Sequence, residues 1–84
     1  MRIGLMLPDR AASIDAMVEM VVEIERDGFD SAWFGQVFTW DVMTVIALAG
    51  PRTSRIEIGT SVVPTYPRHP FVMAQQALTV QAAT

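Results

Sequence analysis

Three polar side chains stand where a ligand could meet them: Gln36, Arg68 and His69. His69 is the only histidine in the chain. It reads either as a proton carrier or phosphate contact, or as a polar residue that fixes the turn before a helix. A lone histidine defines no reaction by itself. Arg68 could grip an anion with the help of the helix start behind it, and a solvated loop arginine fits the same position. Pro64, Pro67 and Pro70 each fix φ and bias the residue before them away from helix. They make either a preorganised wall for a flat ligand or a stiff connector. Upstream lies Gly59-Thr60-Ser61-Val62. Gly59 has no Cβ and so permits close approach, and a bulky residue on a neighbouring strand would need the same room.

Other residue types narrow the chemistry. Trp33, Phe34, Phe38 and Trp40 cluster along one segment. Trp33 and Phe34 are expected to bury area in the core, whereas Phe38 and Trp40 suit either core packing or a stack on a ring cofactor. The six methionines read as gap-fillers between helices and sheet. Glu19, Glu23, Glu25 and Asp27 are expected to form a solvated helix face rather than paired catalytic carboxylates. No Gly-x-Gly-x-x-Gly follows the first apolar run, which argues against a Rossmann dinucleotide site. No P-loop, metal-spaced cluster or nucleophile elbow occurs. The chemistry is therefore expected to be carried by a bound cofactor.

The elements that must position these residues alternate. Arg2 to Leu7 is a short apolar run stopped by Pro8-Asp9, a buried strand. Ser13 can cap a helix whose apolar positions are Ile14, Met17, Val18 and Val21, and Gly28 is placed to end it in a left-handed conformation. Ser31 to Gly35 forms a second strand. Asp41 can cap a second helix that runs to Gly50-Pro51. Ile56 to Val63 is a third strand, and Pro70 suits the first turn of a third helix with Phe71, Ala74, Leu78 and Ala82 on its apolar face. The order is βαβαβα, an α/β class with a parallel sheet. In such a sheet the loops after the strands share one rim, so Pro8 to Arg10, Gln36 to Trp40 and Pro64 to His69 would line one arc of a pocket.

Bulk properties bound the class. With 84 residues, 51% of them apolar, the chain is one small domain or a piece of a larger one. Its formal charge is −3 without a basic run, so no nucleic acid is expected as partner. There are no cysteines, which removes disulfides and thiolate metal sites. No apolar run reaches the ~20 residues that a membrane span needs, and the N-terminus is too short for a signal segment. A cytoplasmic protein without a membrane partner is the expectation. By the chain's own period a fourth strand should follow Thr84, and three strands alone would leave open edges.

Gly28-Phe-Asp-Ser-Ala-Trp-Phe-Gly-Gln36, Trp40-Asp41 and Gly59-Thr-Ser-Val-Val-Pro-Thr-Tyr-Pro-Arg-His-Pro70 resemble the luciferase-like monooxygenase superfamily, in particular its deazaflavin (coenzyme F420)-dependent oxidoreductases. Val72 to Thr84 is similar to the same branch. The resemblance implies that residues 1–84 are the N-terminal part of a luciferase-like TIM barrel: the first three repeats of a (β/α)8 barrel, with the cofactor at its C-terminal face. It implies a non-prolyl cis peptide near Ser61-Val62 against the deazaflavin ring, and cofactor contacts from Gly59, Thr60, Ser61, Val62, Arg68 and His69. The family often has Asp-His at the end of strand two. This chain has Gln36-Val37, so a histidine acid/base is missing there and Gln36 is left as the candidate catalytic group. The implied reaction is hydride transfer between coenzyme F420 and a small organic substrate. FMN-dependent monooxygenation with molecular oxygen and a non-catalytic truncated fragment are the alternatives. The expected partners are a small-molecule substrate and either the remainder of the barrel or a homo-oligomer partner.

Overall fold

Ser13 is itself extended and its Oγ accepts the amide of Ala16 at 3.1 Å, which starts helix α1 (Ile14–Arg26) in the computed structural model. Residues 1–7, 13–35 and 40–84 are described. Asp15 lies in the first turn of α1 and Arg26 in the last, matching the helix dipole. The helix ends where Gly28 takes φ 93°; the amides of Gly28 and Phe29 return to the carbonyls of Glu25 and Ile24. That pair of bonds is a Schellman ending, which needs a residue free to enter the left-handed region.

Strands β1 (Gly4–Leu7), β2 (Ser31–Gly35) and β3 (Glu57–Val62) pair in parallel in the order β1-β2-β3. Helices α2 (Val42–Ala49) and α3 (Pro70–Ala83) follow β2 and β3. The result is three parallel β/α units, the arrangement of the first repeats of a (β/α)8 barrel. Parallel pairing puts the ends of β1, β2 and β3 on one edge, as the alternation of elements required. Gly50–Arg52 forms a short 3-10 turn in which Pro51 terminates α2.

Alternation along β2 sorts the two faces of the sheet. Ala32 and Phe34 are fully buried and join Met17, Val21, Val42 and Val45 in a core between the sheet and helices α1 and α2. Each of these side chains larger than Ala32 contributes about 1.5–3 kcal/mol by leaving water. The opposite face carries Met6, Trp33 and Gly59 at matched register, and Met6 and Trp33 are exposed there. Trp33 is thus not a core residue beside Phe34, because the pleat turns it to the side that none of the described helices covers. Its indole N–H donates to Ser31 Oγ at 2.9 Å. Its ring lies over Gly59, where an added Cβ would fall 2.7 Å from the indole. Gly59 is therefore small because of its cross-strand neighbour.

Two further expectations are corrected. The apolar face of α3 was assigned to Phe71, Ala74, Leu78 and Ala82, yet all four are exposed. Met73, Gln76 and Val80 turn inward instead, with Val80 against the core cluster. Apolar residues surround α3 on all sides, so packing on α2 rather than sequence periodicity chooses the inward stripe. Glu25 does not simply face solvent. Its Oε2 accepts the amides of Ser54, Arg55 and Ile56 at 2.9, 2.8 and 3.0 Å, and the Arg55 guanidinium returns bonds to the carbonyls of Phe29 and Glu25. These bonds hold the carboxyl of Glu25 below its ordinary range, the Arg55 amide first. The clasp ties the end of α1 to the start of β3.

Candidate functional site

The candidate site lies on the edge formed by the carboxyl ends of the strands, because that is where β3 passes into the proline-bearing turn. Gln36 follows β2 directly and, with Asp9, Arg10, Phe38 and Thr39, lies outside the described residues. The other candidates belong to β3 and its turn.

Pairing between β2 and β3 is regular through Phe34 and Thr60, then shifts: Gly35 is opposite Val62, which leaves Ser61 as an extra residue. This is a β-bulge, a device that bends a strand and re-aims its side chains. The Ser61 hydroxyl donates to the Phe34 carbonyl at 3.1 Å, spanning the interruption. The expected cis peptide at Ser61-Val62 is absent, since every peptide among the described residues is trans. One surplus residue makes the bend without it. Beyond the bulge Val62 is 59% exposed, so an apolar side chain points from a kinked backbone into open space at the strand end. Thr60 is half-buried on the helical side, paired with Phe34.

The turn after β3 is held by its own side chains. Arg68 donates to the Pro64 carbonyl at 2.9 Å and to Asp41 Oδ1 at 2.6 Å, and its amide donates to the Thr65 carbonyl at 2.9 Å. Its side chain is 17% exposed. Arg68 is engaged within the protein rather than extended toward solvent. His69 is the N-cap of α3: Nδ1 accepts the Phe71 amide at 3.0 Å, and Pro70 follows in the first turn. An accepting Nδ1 places the proton of a neutral imidazole on Nε2. The turn thus brings Arg68 and His69 to the same edge as the bulge and gives both a structural task.

Asp41 was legible as the cap of α2 but not as a junction. Its Oδ2 accepts the Thr44 amide at 3.2 Å, the Thr44 hydroxyl at 2.5 Å and the Gln76 amide group at 3.3 Å, while Oδ1 meets Arg68. These partners come from α2, α3 and the β3 turn, up to 35 positions away, and no local pattern announces them. Away from this edge, a cleft of about 610 Å³ opens on the helical side of β3, lined by Ile56, Ile58, Ala77, Val80 and Thr84. No cluster of potential metal ligands occurs among the described residues. None of the described helices is long and apolar enough to cross a membrane.

Among the described residues at this edge, the Ser61 hydroxyl, the Arg68 guanidinium and His69 Nδ1 are each engaged in hydrogen bonds that hold the fold, an arrangement suited to binding and orienting a group rather than to attacking one. Comparison with known proteins agrees with the architecture. Residues 1–84 match the family model described as luciferase-like monooxygenase. A putative coenzyme F420-dependent oxidoreductase of Mycobacterium tuberculosis is 36% identical over 62 residues, 74% of this chain and 18% of its own. An uncharacterized protein of Mycobacterium bovis is 34% identical over 56 residues, 67% of this chain and 16% of its own. The structure of the coenzyme F420-dependent tetrahydromethanopterin reductase of Methanopyrus kandleri superposes with a TM-score of 0.81 at 28% identity, covering 94% of this chain and 23% of that one. The chain spans less than a fifth of the length of these curated relatives.

Proposed function

The chain belongs to the luciferase-like monooxygenase family, and on that premise we propose that it works as part of a deazaflavin-dependent oxidoreductase. Residues 1–84 would form the N-terminal part of a (β/α)8 barrel that holds coenzyme F420 beside a small organic substrate. The observation that carries this reading is the likeness, at 28% identity, to a coenzyme F420-dependent reductase. The 36% identical relative with the same cofactor in its name supports it.

The chain's own residues have defined parts in this reading. The Ser61-Val62 bulge presents Val62 to one face of the ring, and Gly59 leaves room for the Trp33 indole on the neighbouring strand. Thr60 and Phe34 hold the register that sets the bulge. Arg68 and His69 serve the cofactor through the turn they fix. Gln36, next to the end of β2, donates a hydrogen bond to the substrate or to the ring edge. When bound, the deazaflavin supplies hydride transfer at a ring carbon; the residues here orient it and shield one face from water.

Membership in a family of luciferase-like monooxygenases favours a second reading, in which the ring is FMN and oxygen is the co-substrate. Titrating the full-length protein with coenzyme F420 and with FMN separates the two. We expect saturable binding of coenzyme F420 and weak or no binding of FMN. Binding of FMN alone would move the protein to the oxygen-using reading, and binding of neither would refute both.

A further inference from the structure

We propose that Asp41 is a positioning residue for this site: through Arg68 it sets the Pro64–His69 turn, and with it the Ser61-Val62 bulge, against the end of β2. The inference rests on the reading just given, because it concerns how the same site is held in shape. The two oxygens of Asp41 divide their work. Oδ2 caps α2 by accepting the Thr44 amide, and Oδ1 receives the Arg68 guanidinium at 2.6 Å. Capping alone does not call for a charge, since asparagine and serine cap as well as aspartate. The second oxygen and its charge matter for Arg68.

Arg68 carries the constraint onward. One guanidinium nitrogen is on Asp41 and the other on the Pro64 carbonyl, the first residue of the turn. Arg68 therefore spans the turn from its far end back to its start and anchors it to Asp41, the last residue of the neighbouring β/α connection and the N-cap of α2. Gln76 adds α3 to the same carboxylate at 3.3 Å. The side chains of Arg68 and Asp41 are 17% and 34% exposed, so the pair is shielded from salt more than a surface ion pair. Val62, the residue assigned to the ring, lies two positions before Pro64 on the same backbone. A loosened turn lets Val62 drift, and small displacements at a binding edge weaken orientation strongly.

The test is Asp41→Asn in the full-length protein, which keeps an acceptor for the Thr44 amide and removes the charge. Two quantities are read: hydrogen exchange of the Arg68 and α2 amides, and the dissociation constants for coenzyme F420 and FMN by equilibrium dialysis. Asp41→Asn should speed exchange at the Arg68 amide, which donates to the Thr65 carbonyl, about tenfold while the α2 amides Val45 and Ile46 keep their protection. It should weaken binding of the preferred cofactor about fivefold to tenfold. Arg68→Met should do the same, and the double variant should be no worse than either single one. Unchanged exchange at the turn would overturn the proposal, as would faster exchange with unchanged affinity. An unaltered protein that binds neither cofactor would overturn the oxidoreductase reading and this proposal with it. Failure of the brace alone differs, because cofactor binding then persists in Asp41→Asn.

Discussion

Helices α1 and α3 are nearly equal in length, yet they relate to the sheet in opposite ways. In α1 Met17, Val18, Val21 and Ile24 are buried, whereas α3 has no buried residue. The same contrast divides β2: Phe34 is sealed under helices and its neighbour Trp33 is 41% exposed. One half of the molecule is closed, with the sheet, α1 and α2 sharing a core. The other half, comprising α3 and the inner face of the sheet, is open. The difference teaches that stability and site-building are assigned to different surfaces of the same strands. Residues that face the helices hold the fold, and those at the bare face and strand ends are free to meet other groups.

The contrast breaks most visibly at Phe34. Phe34→Ala removes a fully buried ring from the centre of the closed half. The expected loss is about 3–5 kcal/mol, transfer plus cavity terms together. Urea denaturation of the full-length protein checks it. A loss below about 1 kcal/mol would mean that the core is not centred where the alternation of β2 puts it.

Local chemistry made much of this layout readable from sequence. Ser13, Asp41, Gly28 and Pro70 mark helix ends by interactions within a few residues of themselves, and each occupies the expected position. The strands and their parallel order followed from period and alternation. What escaped depends on distant partners. The three amides bound by Glu25 lie 29 to 31 residues ahead of it. Trp33 was expected in the core because aromatic strand residues usually are, and only the placement of both helices on one face decides otherwise. The inward stripe of α3 could not be read, since Phe71, Val72, Leu78 and Val80 surround the helix. Of the candidate site, the motif from Gly59 to Pro70 does span the end of β3 and its turn, but its bend arises from a surplus residue rather than a cis bond.

The closed half is also held by a charge, which gives it a pH signature. Glu25 has its carboxyl lowered by the three amides of Ser54 to Ile56. A carboxyl lowered in the folded state adds stability above its unfolded value near 4.3, and that stability fades as pH falls through the folded value. Glu25→Gln should therefore cost about 1 kcal/mol at pH 7. The gap between variant and parent should shrink as the pH drops below about 4. Chemical denaturation at a series of pH values measures this. A gap independent of pH would show that the clasp works by shape rather than by charge.

The smallest effect is expected in the open half, and its smallness carries the comparison. Leu78 is 71% exposed on α3, on the side turned away from α2 and from the core cluster. If α3 is held only by its inward stripe of Met73, Gln76 and Val80, Leu78→Ser should change stability by less than about 0.5 kcal/mol in denaturation. Val80→Ser, two residues on and facing the core, should cost about 1–2 kcal/mol by loss of apolar burial. The ratio of the two is the sharp quantity: helix propensity alone would make Leu78→Ser the costlier change, so a larger cost at Val80 reports what the side chain touches. Equal costs would mean that Leu78 is covered in the full-length protein, and the boundary between closed and open halves would then have to be moved outward past α3.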